Sequence, residues 1–479
     1  MNYIIKGYEP EKVFHFFEEI SAIPRSSGNE KEISDYLVSF AKAHGYEYYQ
    51  DAICNVVIRK PASEGFDGLP AIAFQGHIDM VCEKNIGTVH DFSRDPLKLA
   101  VKDGKLFAKG TTLGADNGIA VAMMLALLDD ESIKHPALEC IFTVMEETGL
   151  TGAAELDKRQ VTAQYMINLD AEDEGIATVS CCGGIRTHLK RAVNFEPVKG
   201  NCMAISLGGL AGGHSGMDID KGRANANKLM AQVLSCVAER FPLRLIRVDG
   251  GNMDNAIPRE CCAVIAASAA LSEIMKIVED VRLSIAKTLH SDDSGFALSV
   301  KPCSTTEMLT AEASNNILML MNAVPHGVLA RGEENFIESS TNFASIHTTE
   351  NCVECIFLTR SVVEDKKHEI VASIEQTAGA LGFSASHSGD YPGWAYDAHS
   401  HLRELASKSY RELFSKELRL NAIHAGLECG LFKAKQPSLD ILAIGPNIAE
   451  VHTPNERLDL DSCRRIWQLI LSILDKLCA

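Results

Sequence analysis

The stretch that most constrains this chain is residues 71–80, AIAFQGHIDM. Residues 71–74 form an apolar run of strand length, and the run stops at Gly76, as a strand buried on both faces would. It leads into His77-Ile78-Asp79. Side chains alternate across a strand, so His77 and Asp79 point the same way at its carboxyl end. Open α/β sheets place their functional sites at that end. Taken alone, the triplet reads equally as a surface histidine beside a solvated aspartate.

Three further segments repeat the arrangement, each an apolar strand or turn that ends in acid. GTTLGADNG, residues 110–118, sets Asp116 where a Gly-rich loop enters a strongly apolar helix. An unpaired carboxylate there is costly unless it caps the helix or meets a cation. IFTVMEETG, residues 141–149, ends in Glu146 and Glu147, and MINLD, residues 166–170, ends in Asp170. Each alone reads as well as a helix cap. Together they place several carboxylates and a histidine at one edge of one sheet, where they repel strongly unless cations lie between them. Imidazole and carboxylate donors without thiolate suit zinc, with manganese or cobalt as alternatives. The donors outnumber one tetrahedral site, and a two-metal site about 3.5 Å across with a bridging carboxylate fits better. The second histidine is expected at His452 in GPNIAEVHTP, residues 445–454.

At 479 residues the length prior allows about two to four domains. Residues 9–44 read as two amphipathic helices joined by a turn at 24–28, with Asn29 capping the second. Strands at 55–59, 71–74, 139–145 and 165–169, a hairpin at 98–107 and a buried helix at 118–129 imply an α/β domain with a mostly parallel sheet. From residue 203 the order becomes strand, helix, strand, strand, helix, strand, which is ferredoxin-like. A similar order repeats approximately from a helix at 306–321 to a strand at 384–388. The expected division is a catalytic domain at 1–184 and 391–479, with an α+β domain of two ferredoxin-like halves inserted at 185–390.

The formal charge of −18 argues against nucleic acid or an anionic membrane as the main partner. The first ten residues lack a signal-peptide pattern, and no apolar run reaches membrane-spanning length. Fifteen scattered cysteines without zinc-knuckle spacing read as reduced residues of a cytoplasmic protein. His90, His135, His290, His387, His399 and His401 have no motif around them and are expected at the surface.

GHIDM, GADNG, MEETG, NLD, GGHSG and VHTPNE, in this order and spacing, resemble the co-catalytic zinc exopeptidases that include carboxypeptidase G, aminoacylase and bacterial dipeptidases. The long insert and HAGLECG, residues 424–430, resemble the aminoacyl-histidine dipeptidase branch. The resemblance implies a zinc-exopeptidase-like catalytic domain under an inserted lid. His77 and Asp170 would bind one metal, Glu147 and His452 the other, with Asp116 bridging. Glu146 would be the general base and Asp79 would orient His77. In the lid, His214 would hydrogen-bond the scissile carbonyl, although GGHSG also reads as a helix-capping turn. Asn255 and Arg360 would hold the substrate's carboxylate, although an arginine ending a strand is often a surface ion pair. His424, Gly426 and Glu428 would lie beside the substrate, Glu428 as a candidate for its amino group. The implied activity is hydrolysis of dipeptides, Xaa-His among them, with two metal ions. An N-acyl amino-acid hydrolase or carboxypeptidase on the same scaffold is the alternative, and a homodimer is compatible with either.

Overall fold

Why the four acidic segments meet follows from strand direction. In the computed structural model, which describes residues 3–332 and 335–479, the chain divides into two compact units. The first comprises Met1–Ser180, Tyr396–Ala422 and Leu427–Ala479. Its eight-stranded sheet runs Glu47–Gln50, Val56–Lys60, Leu138–Thr143, Ile72–His77, Tyr165–Asn168, Asp440–Ala443, Ile176–Cys181, Arg419–Ile423. The four strands from Leu138–Thr143 to Asp440–Ala443 are parallel, and antiparallel strands flank them. Parallel pairing in register, His77 beside Thr143 and Gln75 beside Asn168, delivers every following loop to the same edge.

Helices cover this sheet for reasons plain in their residues. Glu11–Ile20 buries Val13, Phe14, Phe17 and Ile20, one stripe at helical spacing. Ala115–Asp129 is apolar all round and buries almost every side chain. It packs on the Ile72–His77 strand so closely that a Cβ at Gly76 would collide with Asn117 Oδ1 and the Ala120 methyl. The strand itself runs one residue past Gly76 and includes His77.

Two local expectations are corrected. The helix Lys31–His44 is preceded by Glu30, not capped by Asn29, and no side chain caps it. The Glu30 carboxylate instead accepts the amides of Gly28 and Met145, at 2.9 and 3.1 Å. His90 and His135 are buried: His90 packs edge-on against Phe92, and His135 Nδ1 lies 2.8 Å from the Pro136 carbonyl.

The second unit, Cys181–Ala395 with Ile423–Gly426, is built on one nine-stranded antiparallel sheet. Its order is Ala297–Pro302, Asn201–Gly208, Cys261–Ala267, Leu243–Gly250, Ile337–Thr348, Cys352–Ser361, Gly183–Ala192, Ser384–Tyr391, with Gly327–Arg331 beside Ile337–Thr348. The first four strands are one ferredoxin-like half and the last four the other, joined where Gly250 pairs with Ile346. The second half starts earlier than the helix at 306–321. Its first strand is Gly183–Ala192, so the other half is inserted between that strand and the helix Ala311–Ala323. One hydrophobic cluster, from Leu189 to Phe383, serves both halves, with Phe343 stacked on Phe357 at 4.7 Å between ring centres.

Among the described residues no helix is long and apolar enough to cross a membrane. The packing at Gly76 is testable. Gly76→Ala overfills the strand–helix contact and should lower stability by about 1–3 kcal/mol. The check is a lowered urea midpoint at unchanged m-value, and an unchanged midpoint would show that the helix gives way freely.

Candidate metal centre

The parallel strands of the first unit deliver His77, Glu146, Glu147 and Asp170 to one edge, and the loop after Asp440–Ala443 adds His452. Asp116 enters from the start of the helix Ala115–Asp129, where it and Asn117 keep non-helical dihedrals. His77 Nε2 lies 3.1 Å from Asp116 Oδ1 and 3.6 Å from Asp170 Oδ1. The other Asp116 oxygen lies 3.1 Å from His452 Nε2, which is 3.0 Å from Glu147 Oε1. Donor atoms of His77, Asp116 and Asp170 form one tight group and those of Asp116, Glu147 and His452 another, with Asp116 in both.

The electrostatics show what this arrangement asks for. Burial, reinforced by Asp170, Glu428 and Glu147, pushes the Glu146 carboxyl well above the usual carboxylate range. Burial likewise raises Asp170 to about 6, against the pull of His77. Burial works against the charge on His77, yet Asp170, Asp116 and Asp79 raise it well above the imidazole range. Hydrogen bonds to Asp116 and Glu147 push His452 up to about 10. The carboxylates draw positive charge onto whatever lies between them. The donor chemistry, imidazole nitrogen and carboxylate oxygen with no thiolate in either group, fits a pair of divalent cations.

Asp79 lies behind His77. Its Oδ1 is 3.3 Å from His77 Nδ1, and its oxygens accept Ser27 Oγ–H at 2.8 Å and the amides of Glu146 and Glu147 at 3.1 and 3.4 Å. One buried carboxylate thus turns the imidazole and holds the backbone of both glutamates. Glu428, fully buried, receives hydrogen bonds at Oε2 from Gln75 Nε2 and Thr143 Oγ1, at 2.5 and 2.8 Å. Among the described residues its Oε1 has no hydrogen-bond partner.

Sequence reasoning missed several residues that hold these groups. The PRSSG stretch, residues 24–28, was legible as a turn, yet it supplies Ser27 and the fully buried Arg25. Arg25 donates to the carbonyls of Ile78, Asp79 and Gly114. Glu456 stands in the VHTPNE motif four residues after His452. Glu172, two residues past Asp170, is pushed up to about 7 by burial, with Asp116 and Asp170 adding to the shift.

The candidate substrate residues of the second unit form their own cluster. His214 pairs with Ala256 in a short ladder, and Ser215 donates to the carbonyl of Asn255, whose side chain is exposed. His214 Nδ1 accepts the amides of Gly216 and Met217, at 3.2 and 3.0 Å, so the neutral ring carries its proton on Nε2. Burial, and then Arg360, keep it neutral by lowering its pKa. The histidine ring itself thus closes the GGHSG turn, which does not cap a helix, the next described helix starting at Ala226 with Asn225 as its cap. A cavity of about 740 Å³ borders His214 and Asn255. Arg360 is buried rather than in a surface ion pair, and donates to Tyr391 Oη at 2.9 Å. The Tyr391 ring lies so close to Gly426 that a Cβ there would sit 2.8 Å from it. His424 is buried against Ser340, 2.7 Å from its hydroxyl. Tyr391 thus joins Arg360 to Gly426, a link that nothing in the sequence motifs signals.

The chain is 37% identical over 479 residues to the cytosol non-specific dipeptidase of Escherichia coli strain K12, covering 98% of both chains. Its structure resembles the crystal structure of the aminoacylhistidine dipeptidase of Vibrio alginolyticus with a TM-score of 0.94 and 33% identity, over 98% of this chain and 97% of that one. Likeness to a Bacillus cereus aminopeptidase, at 18% identity, 98% and 100% coverage and a TM-score of 0.57, extends to the fold alone. Residues 73–476 match peptidase family M20/M25/M40, and the chain belongs to that family.

Proposed function

We propose that this chain is a cytoplasmic dipeptidase that uses two divalent metal ions, zinc in the first place and cobalt or manganese as alternatives. The single observation that carries the reading is Asp116, which directs one oxygen toward each of two histidine–carboxylate groups. Two dipeptidases at 33% and 37% identity over nearly the whole chain support the substrate class.

His77 and Asp170 would hold one ion, Glu147 and His452 the other, and Asp116 both. Such ions polarise a carbonyl and acidify water toward neutrality. Asp79 keeps His77 turned with Nε2 forward. Glu146 is the proton carrier: it takes a proton from the attacking water and returns it to the leaving amine. His214, a neutral imidazole with its proton on Nε2, is the donor for the carbonyl oxygen as negative charge develops there.

The two ends of a dipeptide account for the remaining groups. Glu428 Oε1, buried and unpartnered, is where an α-ammonium gains most. Arg360, with Tyr391, Gly426 and the exposed Asn255, takes the carboxylate, and His424 lies alongside. The inserted unit Cys181–Ala395 would be the lid, and the catalytic domain resumes at Tyr396.

The first test offers an unblocked dipeptide, its N-acetyl derivative and its C-terminal amide. Chelator-sensitive release of amino acids is expected from the unblocked peptide, with N-acetylation abolishing it. An N-acetyl compound cleaved as well as the dipeptide would make the protein an N-acyl amino-acid hydrolase instead.

The two adjacent glutamates separate cleanly. Glu146→Gln should keep both metals and lose roughly 10²- to 10⁴-fold in kcat, the usual worth of a general base. Glu147→Gln should lose a metal. Metal analysis beside kinetics decides, and equal metal loss in both variants would overturn the assignment.

Arg360→Ala should raise KM for free dipeptides by roughly 10- to 150-fold, corresponding to about 1.5–3 kcal/mol for a charge-assisted contact. Amidating the substrate breaks the same contact, so the two losses should not add. Full additivity would remove Arg360 from the carboxylate.

A further inference from the structure

The turn that presents Asp116 is gripped from two sides by buried ions of opposite charge. On one side Glu456 accepts four consecutive backbone amides. Its Oε2 takes Leu113 and Gly114 at 2.7 and 2.9 Å, and its Oε1 takes Ala115 and Asp116 at 2.8 and 3.2 Å. These are the amides at the start of the helix Ala115–Asp129, where no helical carbonyl is available to them. A carboxylate fits this place twice over, as acceptor and as counter-charge to the helix. On the other side Arg25 Nη2 donates to the Gly114 carbonyl at 2.5 Å. Its Nη1 donates to the carbonyls of Ile78 and Asp79, at 3.1 and 3.2 Å. Arg25 packs so tightly that a Cβ at Gly114 or Gly118 would lie 2.5–2.6 Å from its Nη2.

The place of these two residues in the chain gives the arrangement its meaning. Glu456 closes the turn that begins at Glu450 and holds His452, and its own amide donates to the Thr453 carbonyl at 3.1 Å. Its carboxylate therefore ties the His452 loop directly to the backbone of Asp116. Arg25 ties the same turn to the segment 78–79, next to His77. His452 itself is half exposed and has a left-handed backbone, in a loop closed at its base by the pairing of Ile448 with Leu458 and Ala449 with Arg457. Groups that orient metal donors without touching the metal typically change its affinity by roughly 10- to 100-fold when removed.

We infer that Glu456 is the positioning residue that sets the spacing between Asp116 and His452, and so determines the affinity of the metal held by Glu147 and His452 without touching it. Arg25 is the counterpart that keeps the Asp116 turn in register with His77. The inference rests on the two-metal centre proposed above and adds a dependence that runs to one ion and not to the other.

The experiment is a metal titration, independent of turnover. Cobalt(II), followed by its visible absorption and by equilibrium dialysis, is titrated into the metal-stripped protein. Wild type should take two ions. Glu456→Gln leaves an oxygen for two amides and turns an –NH₂ toward the other two, donor against donor. One ion should then bind roughly 10- to 100-fold more weakly, with the other within threefold of wild type. His452→Ala isolates the second ion: adding Glu456→Gln to that variant should change the affinity of its remaining ion by less than threefold. Should Glu456→Gln fail to fold, Glu456→Asp keeps the charge but cannot span all four amides, and should give a smaller loss at the same ion. Equal weakening of both ions, no weakening of either, or a further loss in the His452→Ala background would each overturn the inference. A wild type that binds a single ion would overturn the metal centre itself, which separates the two failures.

Discussion

Repulsion among buried carboxylates is the constraint on which the catalytic unit depends. Asp79, Asp116, Glu146, Glu147, Asp170 and Glu428 converge in a largely buried space. Left to themselves they would drive the strand ends apart. The fold meets the problem in three ways. It spends backbone amides on Asp79, hydroxyl and amide side chains on Glu428, and imidazoles on Asp116. What those donors do not satisfy faces a common point, and that is where cations belong. The parallel sheet makes the convergence possible, because all its strand ends arrive at one edge.

The sequence made this half of the molecule readable for a physical reason. A buried parallel strand is a short apolar run, and a polar residue directly after it stands out against that run. His77 ends its strand, and Glu146, Glu147 and Asp170 follow theirs within a few residues, so the edge of the sheet was legible before its order. Residues that act through the backbone left no such trace. Among the described residues Arg25 donates to carbonyls and Glu456 accepts backbone amides; neither contact depends on which side chain the partner residue bears. Asn29 misled because cap preference is local, whereas Glu30 answers to Met145, more than a hundred residues away. His90 and His135 misled because a neutral imidazole packs well once one nitrogen has a carbonyl or a ring to meet.

In the second unit the order of elements was legible and their partnership was not. Gly183–Ala192 alternates polar and buried residues without a strong apolar run, and its partners Cys352–Ser361 and Ser384–Tyr391 lie far along the chain. Strand pairing at that distance leaves no pattern in either strand. The substrate-facing residues depend on it all the same: Arg360 belongs to a strand that Gly183–Ala192 holds in place, and pairs with Gly184 across it.

That nesting also orders the events of folding. The inner half, Asn201 to Pro302, begins and ends on adjacent strands, with Met203 opposite Pro302, so four strands of the sheet pair within its own hundred or so residues. The outer half has its first strand synthesised before all of this and its pairing partners after it. It must hold that strand unpaired while the inner half is made, and loop closure across so long a separation is slow. A completed inner half shortens that loop, because its two ends leave side by side. The short ladder at Gly250 and Ile346 is then the edge at which the outer half can add to the sheet of the inner one.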